Sequence, residues 1–180
     1  MIPSLLQTER LILRPWREDD LEPFAQMNAD PRVREFFSST LTREQSDAAI
    51  RRYQDQYAEH GFCFLAAELR QTGAFAGFIG MQIMDFPIPN IAQPAVEIGW
   101  RLPYSLWGKG LATEGARAVM DHALRRQKLH QVVAITAPNN VRSRHVMEKI
   151  GMQYIQDGDF DHPRIPEGNP MRRHVVYVSP

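Results

Sequence analysis

Residues 95–124 constrain this chain more than any other stretch: AVEIGWRLPYSLWGKGLATEGARAVMDHAL reads as a strand, a short glycine-containing loop and a helix. Ala95 to Leu102 is compact and apolar, with one carboxylate, Glu97, inside it. Pro103, Tyr104 and Ser105 break the strand, and an amphipathic helix starts near Ala112 or Thr113. Gly108 and Gly110 let the backbone bend tightly and come close to a ligand. The unpaired N–H groups and the positive end of the helix dipole then face that ligand, so the unit suits a phosphate or pyrophosphate. The same two glycines also serve a plain strand-to-helix turn. Two phosphate motifs are excluded. A Walker A loop needs Ser or Thr after Gly-Lys, and Lys109 is followed by Gly110. A dinucleotide fingerprint needs a third glycine where Thr113 stands.

The 180 residues match one ordinary α/β domain, and a hydrophobic content of 43% is enough for a core. Lys plus Arg equals Asp plus Glu, 21 each, which argues against a bulk nucleic-acid binder. Cys63 is the one cysteine, so no disulfide forms within the chain. It sits in the apolar run from Phe62 to Ala67 and reads as a buried, inert thiol. The first residues lack a basic segment ahead of an apolar core, and no apolar run has the length of a membrane span. The expectation is a cytoplasmic protein that associates with neither membrane nor nucleic acid. The composition leaves a homodimer open.

Thr8 to Trp16 reads as a first strand and Glu18 to Asp30 as a first helix. Thr42 to His60 is a second helix, with Thr42 and Gln45 forming a capping box and Gly61 closing it. Phe62 to Leu69 and Ala74 to Met84 form an antiparallel hairpin. Phe86 to Pro94 is a proline-rich loop. After the central unit come a strand at His130 to Ala137, a helix capped by Asn139 or Asn140, and a strand from Met152 to Gln156. Asp157 to Met171 is a loop, long enough to be functional, and Arg173 to Val178 is the last strand. This order fits an α/β (α+β mixed) domain over residues 1–180, one mixed sheet with helices on both faces.

Trp107-Gly108-Lys109-Gly110-Leu111-Ala112 resembles the coenzyme A pyrophosphate loop of the GNAT superfamily of N-acetyltransferases, usually written Q/R-x-x-G-x-G/A. Trp107 departs from the first position, but the string is similar to the RimJ/RimL-type branch. Pro138-Asn139-Asn140-Val141-Arg142-Ser143, followed by Met147-Glu148-Lys149-Ile150-Gly151-Met152, resembles the N-x-x-S and E-K-x-G segment of that branch. The opening T-E-R-L-x-L-R-P-W, then E-D-D-L, is similar too, so the resemblance covers nearly the whole chain.

The resemblance implies a single GNAT-like domain with a mostly antiparallel sheet in which two strands splay apart. It implies acetyl-CoA as cosubstrate, no metal, and an amine acceptor that is a protein N-terminus or a small molecule. The pantetheine arm would meet the backbone of Trp100, Arg101 and Leu102. Trp107, Gly108, Lys109, Gly110, Leu111, Ala112 and Thr113 would hold the pyrophosphate. Asn140 and Ser143 would also touch the cofactor. Glu97 is the candidate base: partial burial would raise its pKa and suit it to proton removal through a water, although a Glu on the solvent face of a half-exposed strand fits the same pattern. Ser143 is the candidate acid, because the position where many members place a tyrosine is Met147. Asn140 also reads as a simple cap, and Ser143 as a residue bonding its own helix turn. Phe36 and Phe37 read as walls of the acceptor site or as core. The competing function is a non-catalytic acyl-CoA-binding module. The six histidines show no metal-ligand spacing.

Overall fold

A computed structural model of the chain describes residues 6–180. A nine-stranded sheet runs through it in the order β1 (Leu6–Gln7), β2 (Leu11–Arg14), β3 (Phe64–Leu69), β4 (Phe75–Ile83), β5 (Val96–Arg101), β6 (Val133–Thr136), β9 (Arg173–Val178) and β7 (Gln153–Tyr154). The two-residue strand β8 (Phe160–Asp161) pairs with β9 off this path. Every pairing is antiparallel except β5 with β6. The expected mixed, mostly antiparallel sheet is therefore present.

Among the described residues the α-helices are α1 (Leu21–Ala29), α2 (Arg43–His60), α3 (Leu111–Asp121) and α4 (Val141–Lys149). Thr42 caps α2 by accepting from the Gln45 N–H, and the Gln45 side chain accepts in return from the Thr42 N–H. Gly61 ends that helix in the left-handed conformation at φ 77°. Side-chain alternation along β4 separates the layers. Phe78 points to one face, where it meets Phe24 of α1 and Tyr53 of α2. Ile79 points to the other, where a Cβ on Gly115 of α3 would lie 2.4 Å from its Cδ1. Glycine at that helix position lets α3 lie directly on the sheet. Trp16 joins the aromatic face by packing on Phe24 and Tyr53, and its indole N–H donates to the Phe64 carbonyl. A second, smaller apolar cluster of Met84, Ile88, Ala95, Val133, Phe160 and Val176 lies under the 84–95 and 157–171 loops.

Three local expectations are corrected. The first strand is not continuous from Thr8: the chain turns over residues 8–10, with the Thr8 N–H donating to the Leu11 carbonyl at 2.9 Å, so that β1 and β2 form a hairpin. The Thr8 hydroxyl and the Arg10 N–H meet the distant Glu114 carboxylate, and this contact fixes the turn. α3 starts at Leu111, one residue before the expected start, because Gly110 is its N-cap. The 157–171 loop contains β8, whose two residues gain their pairing from β9. Cys63 is buried, and burial pushes its thiol up to about 12, so it is inert as expected. Among the described residues no helix is long and apolar enough to cross a membrane.

One buried ion cluster ties β2 to the turn before α1. Arg14 and Asp20 are 4% and 2% exposed, and the guanidinium reaches both Asp20 oxygens at 2.7 and 2.9 Å. Its Nε donates to Glu68 on β3 at 2.6 Å. These partners raise the Arg14 pKa, with the Asp20 hydrogen bond the largest contribution. Removing one member strands a buried charge. Asp20→Ala is expected to lower unfolding stability by about 3–5 kcal/mol in urea denaturation. A loss under about 1 kcal/mol would show that water reaches Arg14 and that the cluster is not a structural anchor.

Candidate functional site

The site begins with a defect in the sheet. β5 and β6 share one parallel pairing, Glu97 with Val133, and no further register beyond it. From Ile98 onward the β5 edge facing β6 is therefore open. A cavity of about 580 Å³ occupies this gap. Of the residues singled out from sequence, Glu97, Trp100, Arg101, Leu102, Trp107, Gly108, Gly110, Leu111, Ala112, Thr113, Asn140 and Ser143 all line it. Lys109 does not; its side chain is exposed.

The glycine loop closes one end of the cavity. Trp107 is pinned by its indole N–H donating to the Leu102 carbonyl at 2.9 Å. Gly108 and Gly110 both take left-handed backbone, φ 74° and 78°, which favours glycine. A Cβ on Gly108 would meet nothing within 4 Å, so the backbone there is open to an approaching group. The N–H groups of residues 108–113 donate to no acceptor among the described residues. The first intrahelical bond runs from the Glu114 N–H to the Gly110 carbonyl. This is a cradle of donors at a helix N-terminus, and it fits a pyrophosphate. Arg10 holds it in place: Nη1 donates to the Lys109 carbonyl at 2.8 Å, while Nε and the backbone N–H grip Glu114.

Glu97 faces the aromatic side of the sheet, because its β4 partner Gln82 shares a face with Phe78. The Gln82 amide donates to Glu97 Oε2 at 2.8 Å. The carboxyl touches the cavity but is otherwise packed round by protein. Burial pushes its pKa up to about 7, against the opposing pull of the Gln82 hydrogen bond and the Arg101 charge. A carboxyl in that range accepts a proton near neutral pH.

α4 flanks the gap on the β6 side. The Asn140 side chain accepts from the Ser143 N–H at 3.3 Å and donates to Thr136 Oγ1 at 2.9 Å. It caps the helix and ties it to β6. Ser143 is half-buried on the cavity wall, and Met147 is buried behind it. Phe36 and Phe37, from the connection between α1 and α2, wall the opposite side.

Several lining residues were not foreseen. His162 and His174 come from the 157–171 loop and from β9, with ring centroids 4.9 Å apart. Burial, then the neighbouring His174, lowers His162 to about 4, so it is a neutral imidazole at neutral pH. The length of that loop signalled a role, but the bend that brings its histidine to the cavity depends on β8. Arg142 also lines the cavity: it pairs with Glu35 and lies 4.6 Å from the Trp107 ring. No local sequence signal pairs Glu35 with Arg142. Because Gly110 holds a left-handed backbone, φ 78°, that a β-branched side chain strains, Gly110→Val is expected to weaken acetyl-CoA binding by about 10-fold or more in calorimetric titration. Unaltered affinity would remove the loop from the binding site.

The chain matches the family model of the acetyltransferase (GNAT) domain over residues 10–153. The uncharacterized protein YkkB of Bacillus subtilis is 32% identical over 150 residues, 83% of this chain and 85% of its own length. The crystal structure of an acetyltransferase from Agrobacterium tumefaciens superposes with a TM-score of 0.78 at 27% identity, covering 98% of this chain and 94% of that one. RimL, a ribosomal L7/L12 alpha-N-protein acetyltransferase solved with coenzyme A, shares the fold with a TM-score of 0.76 at 16% identity, covering 97% of each chain. With four-fifths of its length inside the family model and the splayed strands and glycine cradle in place, the chain belongs to the GNAT acetyltransferases, as a single GNAT-fold domain.

Proposed function

We propose that the chain transfers an acetyl group from acetyl-CoA directly to a primary amine, with Glu97 as the base. The observation that carries this reading is the placement of Glu97. A carboxyl with its pKa raised to about 7 lies in the same cavity as an open glycine cradle. A module that only bound acyl-CoA would have no use for a desolvated carboxyl. In the reaction, Glu97 takes a proton from the acceptor ammonium, directly or through a water. The amine nitrogen attacks the thioester carbonyl, the C–N bond forms, and the C–S bond breaks. Ser143, on the first turn of α4, is the proposed proton relay: its hydroxyl gives a proton to the departing thiolate and takes up the second proton that the nitrogen sheds as the amide forms. Asn140 supports that donor by fixing the turn that carries it. The open β5 edge from Trp100 to Leu102 is suited to the pantetheine amides, and the loop from Trp107 to Thr113 to the pyrophosphate. The acceptor is a small-molecule amine or a protein N-terminus. The name of RimL supports the second for that protein.

The base must be ionised to act, and its pKa is raised, so activity is lost as pH falls through about 7. The pH profile of kcat/KM is expected to show an acidic limb near that value which Glu97→Gln removes. The same substitution is expected to lower kcat by about 10²–10⁴-fold with acetyl-CoA affinity nearly unchanged. Wild-type turnover in that variant would exclude Glu97 as the base. Acetyl-CoA and CoA, but not NAD or ATP, are expected to raise the melting temperature with concentration. The absence of any rise would exclude cosubstrate binding.

A further inference from the structure

The cavity has two chemically different ends on one strand. Glu97 and Arg101 share a face of β5, about 13 Å apart between Cα atoms at ordinary strand rise. Gly99 lies between them, and a Cβ there would come within 2.9 Å of the Phe64 ring. That ring therefore covers the strand between the two charges, and it stacks on Phe78 at 5.0 Å. A carboxyl stands at one end, an aromatic floor lies between, and a guanidinium stands at the other end.

The guanidinium is under-paired. Arg101 Nη1 donates to Asn28 Oδ1 at 2.9 Å, while its buried Nε has no hydrogen-bond partner. Among the described residues no carboxylate forms an ion pair with it. Arg14, which is more deeply buried, has two carboxylates. On the α1–α2 connection another cation, Arg34, shares an aromatic ring with Arg101. Arg34 has its guanidinium carbon 4.0 Å from the Phe37 ring, and Arg101 has its own 4.3 Å from the same ring. Arg34 Nε is occupied by the Ser39 carbonyl. Burial, and then the charge of Arg101, lowers Arg34 to about 9, and burial lowers Arg101 as well. Contacts with aromatic rings compensate less than the cost of desolvating a cation. A planar donor fork with unused donors, beside a second cation, matches a carboxylate.

We infer that the acceptor amine carries a carboxylate that docks on Arg101, leaving its amino group at the Glu97 end. This rests on the acetyltransferase reading and adds the acceptor's chemical class, an aminocarboxylate. The carboxylate belongs either to a free amino acid or to an acidic residue near a peptide N-terminus. Asn28 acts as a positioning residue, holding the Arg101 fork through Nη1.

The test uses matched pairs on the intact protein. The acceptors are α- and ω-amino carboxylic acids, their carboxamides, and dipeptides with an acidic or a neutral second residue. Transfer is followed by release of free thiol at saturating acetyl-CoA. In parallel, the N-acetylated acids and amides are titrated calorimetrically into the protein with CoA present. The acid of a pair is expected to exceed its amide by about 100-fold or more in kcat/KM, and to bind correspondingly tighter. Free amino acids leading the panel would assign a small-molecule acceptor; acidic dipeptides leading would assign a peptide. Arg101→Gln is expected to collapse the acid-to-amide ratio toward one, with Arg101→Lys restoring part of it. Equal values for acid and amide in the wild type would overturn the inference without recourse to any variant. Tighter binding of the acids with no acetyl transfer would leave the docking site standing and remove the acetyltransferase reading.

Discussion

The single parallel pairing between Glu97 and Val133 is the constraint on which the site depends. A sheet that kept its register along both strands would bury the β5 edge and leave no gap. Here the antiparallel pairing of β4 with β5 runs the full length of β5, and that of β6 with β9 runs the full length of β6. Each side of the divergence is therefore stiff, and the opening is held by the strands behind it rather than by a loop. Backbone polar groups that would be a liability at an exposed edge are, under the proposed function, attachment points for an extended ligand. The α3 dipole and its unpaired N–H groups meet this opening at one end.

Desolvation is handled in two opposite ways in this molecule. Arg14 is enclosed but surrounded by Asp20 and Glu68, so its charge is retained and spent on architecture. Glu97 and Arg101 are enclosed with incomplete partners, and both are shifted toward their neutral forms, chiefly by burial. The contrast sets a fully paired charge apart from two under-paired ones within one sheet. The proposed reaction draws on the two under-paired groups, one to exchange a proton and one to accept a ligand.

Much of this was legible in the chain because the relevant physics is local. Thr42 and Gln45 announce a helix start through their own hydrogen bonds, and Gly108 and Gly110 announce a loop whose backbone must turn through positive φ. What was not legible depends on distant partners. Arg101 reads as a strand residue offering backbone; its side chain matters because Asn28 and Phe37 arrive from the other layer. His162 reaches the cavity because a two-residue strand borrows its pairing from β9. The Thr8 turn looks like uninterrupted strand until Glu114 supplies a carboxylate from far along the chain.

The clasp between Arg10, Lys109 and Glu114 has a consequence for how the protein forms. It joins positions separated by 104 and 99 residues, so the glycine cradle lacks its fixed shape until the start of the chain meets the start of α3. Contacts of such long sequence separation carry a large loop-closure cost and form late. The helices and the β3–β4 hairpin can form early from near neighbours. A nascent chain would then pass through a stage with its sheet largely built and its glycine loop still unformed, so the shape of that cradle would be among the last properties that folding confers.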